Sequence, residues 1–162
     1  MVEGDTALQQ LLTEVRGEAV ARKRPSFTHD EARRLGEAAA SAAGVAGHPV
    51  VIAVHRGPQL VYQAAFEGTT SEHEDWVRRK RNTALRHEIP SLEFLLRQRV
   101  AGREPDWLDP REFAMAGGAV PIVVAGTIAG TITVSGLVGS IRADHDLAMA
   151  ALRAVRPEAG AL

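Results

Sequence analysis

The chain has 162 residues, 45% of them hydrophobic, which matches one ordinary domain able to fill its core without metal or disulfide staples. It contains no cysteine, which excludes disulfides, thiolate catalysis, Cys-ligated zinc and iron–sulfur clusters and gives no pointer to an oxidising compartment. With 19 basic and 20 acidic residues the formal net charge is −1, so there is no general attraction to nucleic acid or to an anionic membrane, and charge effects must be local.

The start, Met1-Val2-Glu3-Gly4-Asp5, is acidic and resembles neither a signal peptide nor a transit peptide. No apolar run reaches the length of a bilayer span. The expectation is a single cytoplasmic domain over residues 1–162. From about Asp5, the spacing of Leu8, Leu11, Leu12, Val15 and Ala19 puts them on one face of a packing helix. Arg22-Lys23-Arg24-Pro25 interrupts that pattern and reads as a solvated turn or exposed edge, because three cations fall short of a nucleic-acid-binding run.

Thr28-His29-Asp30-Glu31 matches a capping box, which opens a second, Ala-rich helix running to about Ala43. Two β-branched runs, Val50 to Val54 and Gln59 to Phe66, flank Arg56-Gly57-Pro58 as an antiparallel hairpin. Ser71-Glu72-His73-Glu74 reads as another capping box, with acids first and cations later along a helix from Glu72 to about Leu85. Pro90 breaks it, and Ser91 is placed to cap a helix carrying Leu92, Leu95, Leu96 and Val100. Asp109-Pro110-Arg111-Glu112 has the composition of a short helical turn. Val120 to Val124 and Thr127 to Val134 form a second hairpin about Ala125-Gly126, and Asp144 to Val155 is a closing helix. Hairpins separated by helices, without strand–helix alternation, predict an α+β fold: a central antiparallel sheet flanked by helices.

Three stretches have more polar or glycine-rich detail than packing needs. On a helix Trp76, Arg79, Lys80 and Thr83 share one face, where Arg79 offers a planar fork and Lys80 a point charge to a carboxylate or phosphate. The same spacing also suits exposed cations or salt-bridge partners. Gly117-Gly118 can bring backbone amides close to an anion, although neither a phosphate-loop nor a dinucleotide motif is present, and a plain turn fits equally. Ser135-Gly136 ends a strand of alternating threonines and can present an amide or hydroxyl, but there is no GxSxG around Ser135. The histidines His29, His48, His55, His73, His87 and His145 have no metal-ligand spacing, so no metal site is expected; Asp144 and Asp146 flank His145 as helix-start residues or as its orienting partners.

Pro25-Ser26-Phe27, Trp76-x-x-Arg79-Lys80-x-x-Thr83, Gly117-Gly118-Ala119-x-Pro121-Ile122, Gly130 to Leu137 and Asp144-His145 follow one another in an order and spacing that resembles the uncharacterised branch of the haem-degrading-domain family, also called GlcG/HbpS-like. The resemblance covers roughly Ser26 to Val155. It implies a profilin-like arrangement, higher homo-oligomers built from dimers and relatives that include a haem-binding redox-sensing accessory protein; the cations and glycine-rich backbone themselves point to haem or a small organic anion as ligand. The expected ligand pocket is lined by Trp76, Arg79, Lys80, Thr83, Gly117, Gly118, Ser135, Gly136 and His145. Two departures fall near that pocket: Ala116 stands where the branch often has His, and His87-Glu88-Ile89-Pro90-Ser91 where it usually has an aromatic residue and a Ser-Ser pair.

Three readings follow. The first is a non-enzymatic small-molecule-binding oligomer. The second is an enzyme for a small anionic substrate, held by Arg79 and Lys80, with His145 or Ser135 moving the proton. The third is an accessory protein acting through a protein partner. If haem binds, His73 and His87 are the candidate iron ligands, and no dedicated buried ligand is expected.

Overall fold

The computed structural model describes residues 3–156; Met1 and Val2, part of the acidic start, lie outside the described residues. In chain order the elements are helix α1 (Glu3–Gly17), a 3-10 helix (Glu18–Arg22), strand β1 (Lys23–Arg24), α2 (His29–Ala46), β2 (Val51–Arg56), β3 (Gln59–Ala65), α3 (Ser71–His87), α4 (Ser91–Val100), β4 (Ala119–Val124), β5 (Thr127–Ser135) and α5 (Ala143–Ala154). They form a five-stranded sheet in the order β1-β4-β5-β2-β3. The pairs β4–β5, β5–β2 and β2–β3 are antiparallel as expected, and β1 adds a two-residue parallel edge. The fold is α+β.

Alternation along the strands separates two chemistries. Val50, Ile52, Val54, Val120, Ile122, Ile132 and Val134 join Leu35, Ala39, Met149 and Leu152 in the main core, so α2 and α5 cover this apolar face. Fully burying each of these large aliphatic side chains contributes about 1.5–3 kcal/mol. The opposite face carries Ala53, Ala119, Thr131, Thr133 and Ser135, all buried, and α3 packs there with Val77 against Val51 and Ala53. Small residues let α3 approach closely, and hydroxyls make this layer polar. The apolar face of α1 does not reach the sheet: Leu12 and Val15 pack on Leu92, Leu95 and Leu96 of α4, forming a satellite core.

The Thr28–Glu31 capping box is present: Glu31 N donates to Thr28 Oγ1 at 3.1 Å, and Thr28 N to Glu31 Oε2 at 2.6 Å. Other boundaries differ from the sequence reading. The cap of α3 is Thr70 rather than Ser71, and the reciprocal acceptor is the His73 ring rather than a carboxylate. Pro90, not Ser91, precedes α4, and the buried Ser91 hydroxyl accepts from Ala119 N at 3.1 Å, fastening α4 to β4. Asp109 caps a non-helical turn by accepting from Arg111 N at 2.9 Å. Arg22 is buried rather than solvated, with Nη1 donating to Pro121 O at 3.2 Å.

Candidate functional site

Position 80 is the tenth residue of a helix laid across a polar sheet face, so its side chain has to enter the protein. Lys80 is 3% exposed. Its ammonium donates to Asp144 Oδ2 at 2.9 Å and to Val134 O at 3.2 Å. Burial lowers the Lys80 pKa, while the Asp144 carboxylate opposes that shift. The same carboxylate accepts from Leu137 N at 2.9 Å and Gly136 N at 3.4 Å, so one side chain ties α3, the end of β5 and the start of α5 together. Two glycines make room. A Cβ on Gly118 would lie 2.2 Å from Val134 O and 3.2 Å from Lys80 Nζ, and its φ of 133° is itself hostile to a side chain. A Cβ on Gly136 would lie 2.2 Å from Pro49 O.

Beside this pair opens a cleft of about 380 Å³ between α3, α4, the segment before β4 and the loop between β5 and α5. Trp76, Leu95, Met115 and Ile141 supply apolar wall; Lys80, Arg99 and His73 supply positive or donor groups, and Ser135, Gly117 and Gly136 complete the polar floor. An ammonium has three donors, and protein acceptors hold two of those of Lys80. Arg99 is exposed at the rim and has no ion partner among the described residues. The lining thus combines apolar surface with the internally paired Lys80 and Asp144 and with one unpaired guanidinium, that of Arg99.

His73 lines the cleft in a defined tautomer. Thr70 N donates to its Nδ1 at 3.0 Å, which leaves the proton of the neutral ring on Nε2. The ring therefore offers an N–H donor rather than the lone pair that iron needs. His87 has the reverse arrangement: Nδ1 is 2.9 Å from the carbonyl of Thr83 and must donate to it, leaving Nε2 as a free lone pair. That ring, however, stacks on Phe94 with centroids 3.9 Å apart and does not line the cleft. The two histidines as placed do not fit axial ligation of haem iron in the cleft. Among the described residues no three His, Asp or Glu side chains are grouped to hold a metal ion.

Of the residues singled out in the sequence, the fold brings Trp76, Lys80, Gly117, Ser135 and Gly136 into the cleft wall. Gly118 lies behind it, beneath the Lys80 ammonium. Arg79 diverges from Lys80: its guanidinium stacks 4.1 Å from the Trp76 ring centroid, pairs with Asp75 at 2.8 Å and lines a separate groove with Phe113 and Pro110. Thr83 is fully buried, with its hydroxyl donating to Ala114 O at 2.9 Å and accepting from Ala114 N at 3.1 Å, so it holds the segment before β4 against α3. His145 is 0% exposed and points to the other end of α5, with Nε2 at 3.1 Å from Glu18 Oε1. Arg99, Leu95, Met115 and Ile141 were not singled out, since nothing in their local spacing separates them from ordinary helix and loop residues. His73 carried a usable signal in its position three residues after Thr70.

Fold and cleft together define a class: α+β proteins in which a helix-flanked sheet, one face of it hydroxylic, supports a cleft with a buried Lys80–Asp144 pair at a strand end. Within that class the chain belongs to the family described as haem degrading protein HbpS-like, whose match spans residues 27–153. A UPF0303 protein of Streptomyces avermitilis is 37% identical over 117 residues, covering 70% of this chain and 72% of the relative. A UPF0303 protein of Burkholderia cenocepacia is 37% identical over 132 residues, 79% of each chain. Among solved structures, the Ybr137w protein superposes with a TM-score of 0.83 at 24% identity, over 97% of this chain and 94% of that one. HbpS gives 0.66 at 24% identity, over 80% and 90%. A PduOC:Heme complex gives 0.64 at 19% identity, over 80% and 95%. At these identities the structural likeness establishes the fold.

Proposed function

We propose that this protein is a non-enzymatic, homo-oligomeric binder of a small organic anion, held in the cleft between α3, α4 and the loop before α5. The observation that carries the reading is the unpaired Arg99 guanidinium at the cleft rim, with the third donor of the Asp144-paired Lys80 ammonium and the His73 N–H around an apolar Trp76 and Leu95 surface. A carboxylate end would meet the cations and a short apolar body the tryptophan. Of the two proton-moving groups of the catalytic alternative, Ser135 lies in the cleft floor, but His145 lies outside the cleft lining and is engaged by Glu18, which favours binding over turnover.

Haem remains a second reading because a structural neighbour is described as a heme complex. The His73 tautomer argues for weak, non-dedicated haem contact here. Self-association is carried over from the family resemblance; a domain-sized single body in a cytoplasmic setting completes the reading.

Mass spectrometry and a visible absorption spectrum of gently purified protein test the occupant directly. A copurifying carboxylate and no Soret band is the expected result; stoichiometric haem would overturn it. Thermal stabilisation by added small carboxylates should be present in the wild type and lost in Lys80→Met and in Arg99→Met, the second of which leaves the fold untouched. Light scattering should show a mass above that of a dimer, and a monomer at micromolar concentration would sink the oligomeric part.

A further inference from the structure

A second cleft, of about 170 Å³, opens on another face of α3, where Glu74, Val77, Arg78 and Arg81 cross β2 and β3. Its walls include His55, Leu60, Gln63, Glu74, Arg78 and Arg81. Most of the charge there is spoken for. Arg78 pairs with Asp75 and Glu112, each at 2.9 Å, and Glu74 accepts from Gln63 at the exposed outer wall. Arg81 differs. It is half-buried, and its protein partners are neutral: Nε donates to Thr131 Oγ1 at 3.3 Å and Nη2 to Gly57 O at 3.0 Å. No carboxylate pairs with it among the described residues. A partly desolvated guanidinium without a counter-charge is costly, and such sites are usually completed by an anion. The donors of Arg81 outnumber these two acceptors. Beside it the buried Nδ1 of His55 has no hydrogen-bond partner.

We propose that this second cleft binds a small oxyanion, a phosphate or a carboxylate, clamped by the Arg81 guanidinium against the His55 ring. The site is independent of the Lys80 cleft and does not rest on the reading given for it. Burial lowers the Arg81 pKa with no carboxylate to offset it. Burial first, and the Arg81 charge second, bring the His55 pKa down to about 4. His55 is thus neutral near pH 7 and leaves the positive charge of Arg81 for the ligand. A bound anion would also anchor the middle of α3 to β2 and to Thr131 of β5.

The test is NMR titration of the His55 imidazole, assigned with a His55→Asn variant, with inorganic phosphate and with acetate. An anion next to the ring favours its protonated form, so the His55 pKa should rise on binding. The response should persist in Arg99→Met, which disables the first cleft from its exposed rim and isolates the second from it. Losing a charge-assisted clamp should weaken phosphate binding about tenfold or more in Arg81→Met. Should that variant fold poorly, Arg81→Lys retains the charge without the fork and should bind with reduced affinity. An unmoved His55 in wild-type protein overturns the proposal. So does a response lost in Arg99→Met but kept in Arg81→Met, or an Arg81→Met variant that changes mass by light scattering while still binding phosphate, since Arg81 would then face a second copy.

Discussion

Lys80 Nζ lies 2.9 Å from Asp144 Oδ2, and this buried ion pair joins the middle of α3 to the first turn of α5 across the end of β5. The side chains are 4% and 10% exposed, so each charge depends on the other for compensation.

Removing one partner strands the other. Asp144→Ala leaves a buried ammonium with one carbonyl acceptor, Val134 O, and releases the amides of Gly136 and Leu137. The expected destabilisation is about 3–5 kcal/mol. The double variant Lys80→Met with Asp144→Ala should lose less than the sum of the single losses, which denaturant unfolding will measure as a coupling energy.

Arg99 and Arg79 should separate by function. Arg99 is an unpaired cation at the cleft rim, whereas Arg79 is engaged by Asp75 and Trp76 and lines the adjoining groove. Arg99→Met is expected to weaken carboxylate binding about tenfold by calorimetry, while Arg79→Met leaves it within a factor of about two.

Haemin should bind weakly, and the histidine tautomers assign its contact. His73→Ala should leave the Soret spectrum of added haemin unchanged, because the ring presents N–H to a metal. His87→Ala should abolish any histidine-type shift, because Nε2 of that ring carries the free lone pair. A submicromolar, stoichiometric shift lost in His73→Ala would contradict the site as described.

Glu18 supplies an acid-side pH dependence. Burial pushes its pKa up, but the His145 contact and the Arg153 pair outweigh that and hold it below its ordinary value of 4.5. A carboxylate with a lowered folded pKa contributes stability that is present above 4.5 and lost as pH falls through the folded value. The gap in melting temperature between wild type and Glu18→Gln should therefore be constant near neutral pH and close in that acidic window.

Local chemistry made much of the fold legible. Thr28 and Glu31 announce a helix start by their own hydrogen bonds, and β-branched alternation around Gly57 and around Gly126 announces two hairpins, because these signals act within a few residues. The family resemblance, carried by ordered motifs from Trp76 to Asp144, was legible for the same reason, and it named the right fold. The tertiary structure alone decided which neighbours diverge. Arg79 and Lys80 are adjacent in sequence, but the backbone turn between them sends one to Asp75 and Trp76 and the other under the sheet to Asp144, a partner 64 residues away. Thr83 and His145 looked like site residues by motif and became packing anchors once Ala114 and Glu18 reached them. Arg99 entered the cleft only because Leu95 and its neighbours dock α4 beside α3. Helix caps and strand alternation are short-range and survive in the sequence; the compensation of a buried charge is settled by whichever distant group the fold places within hydrogen-bonding reach.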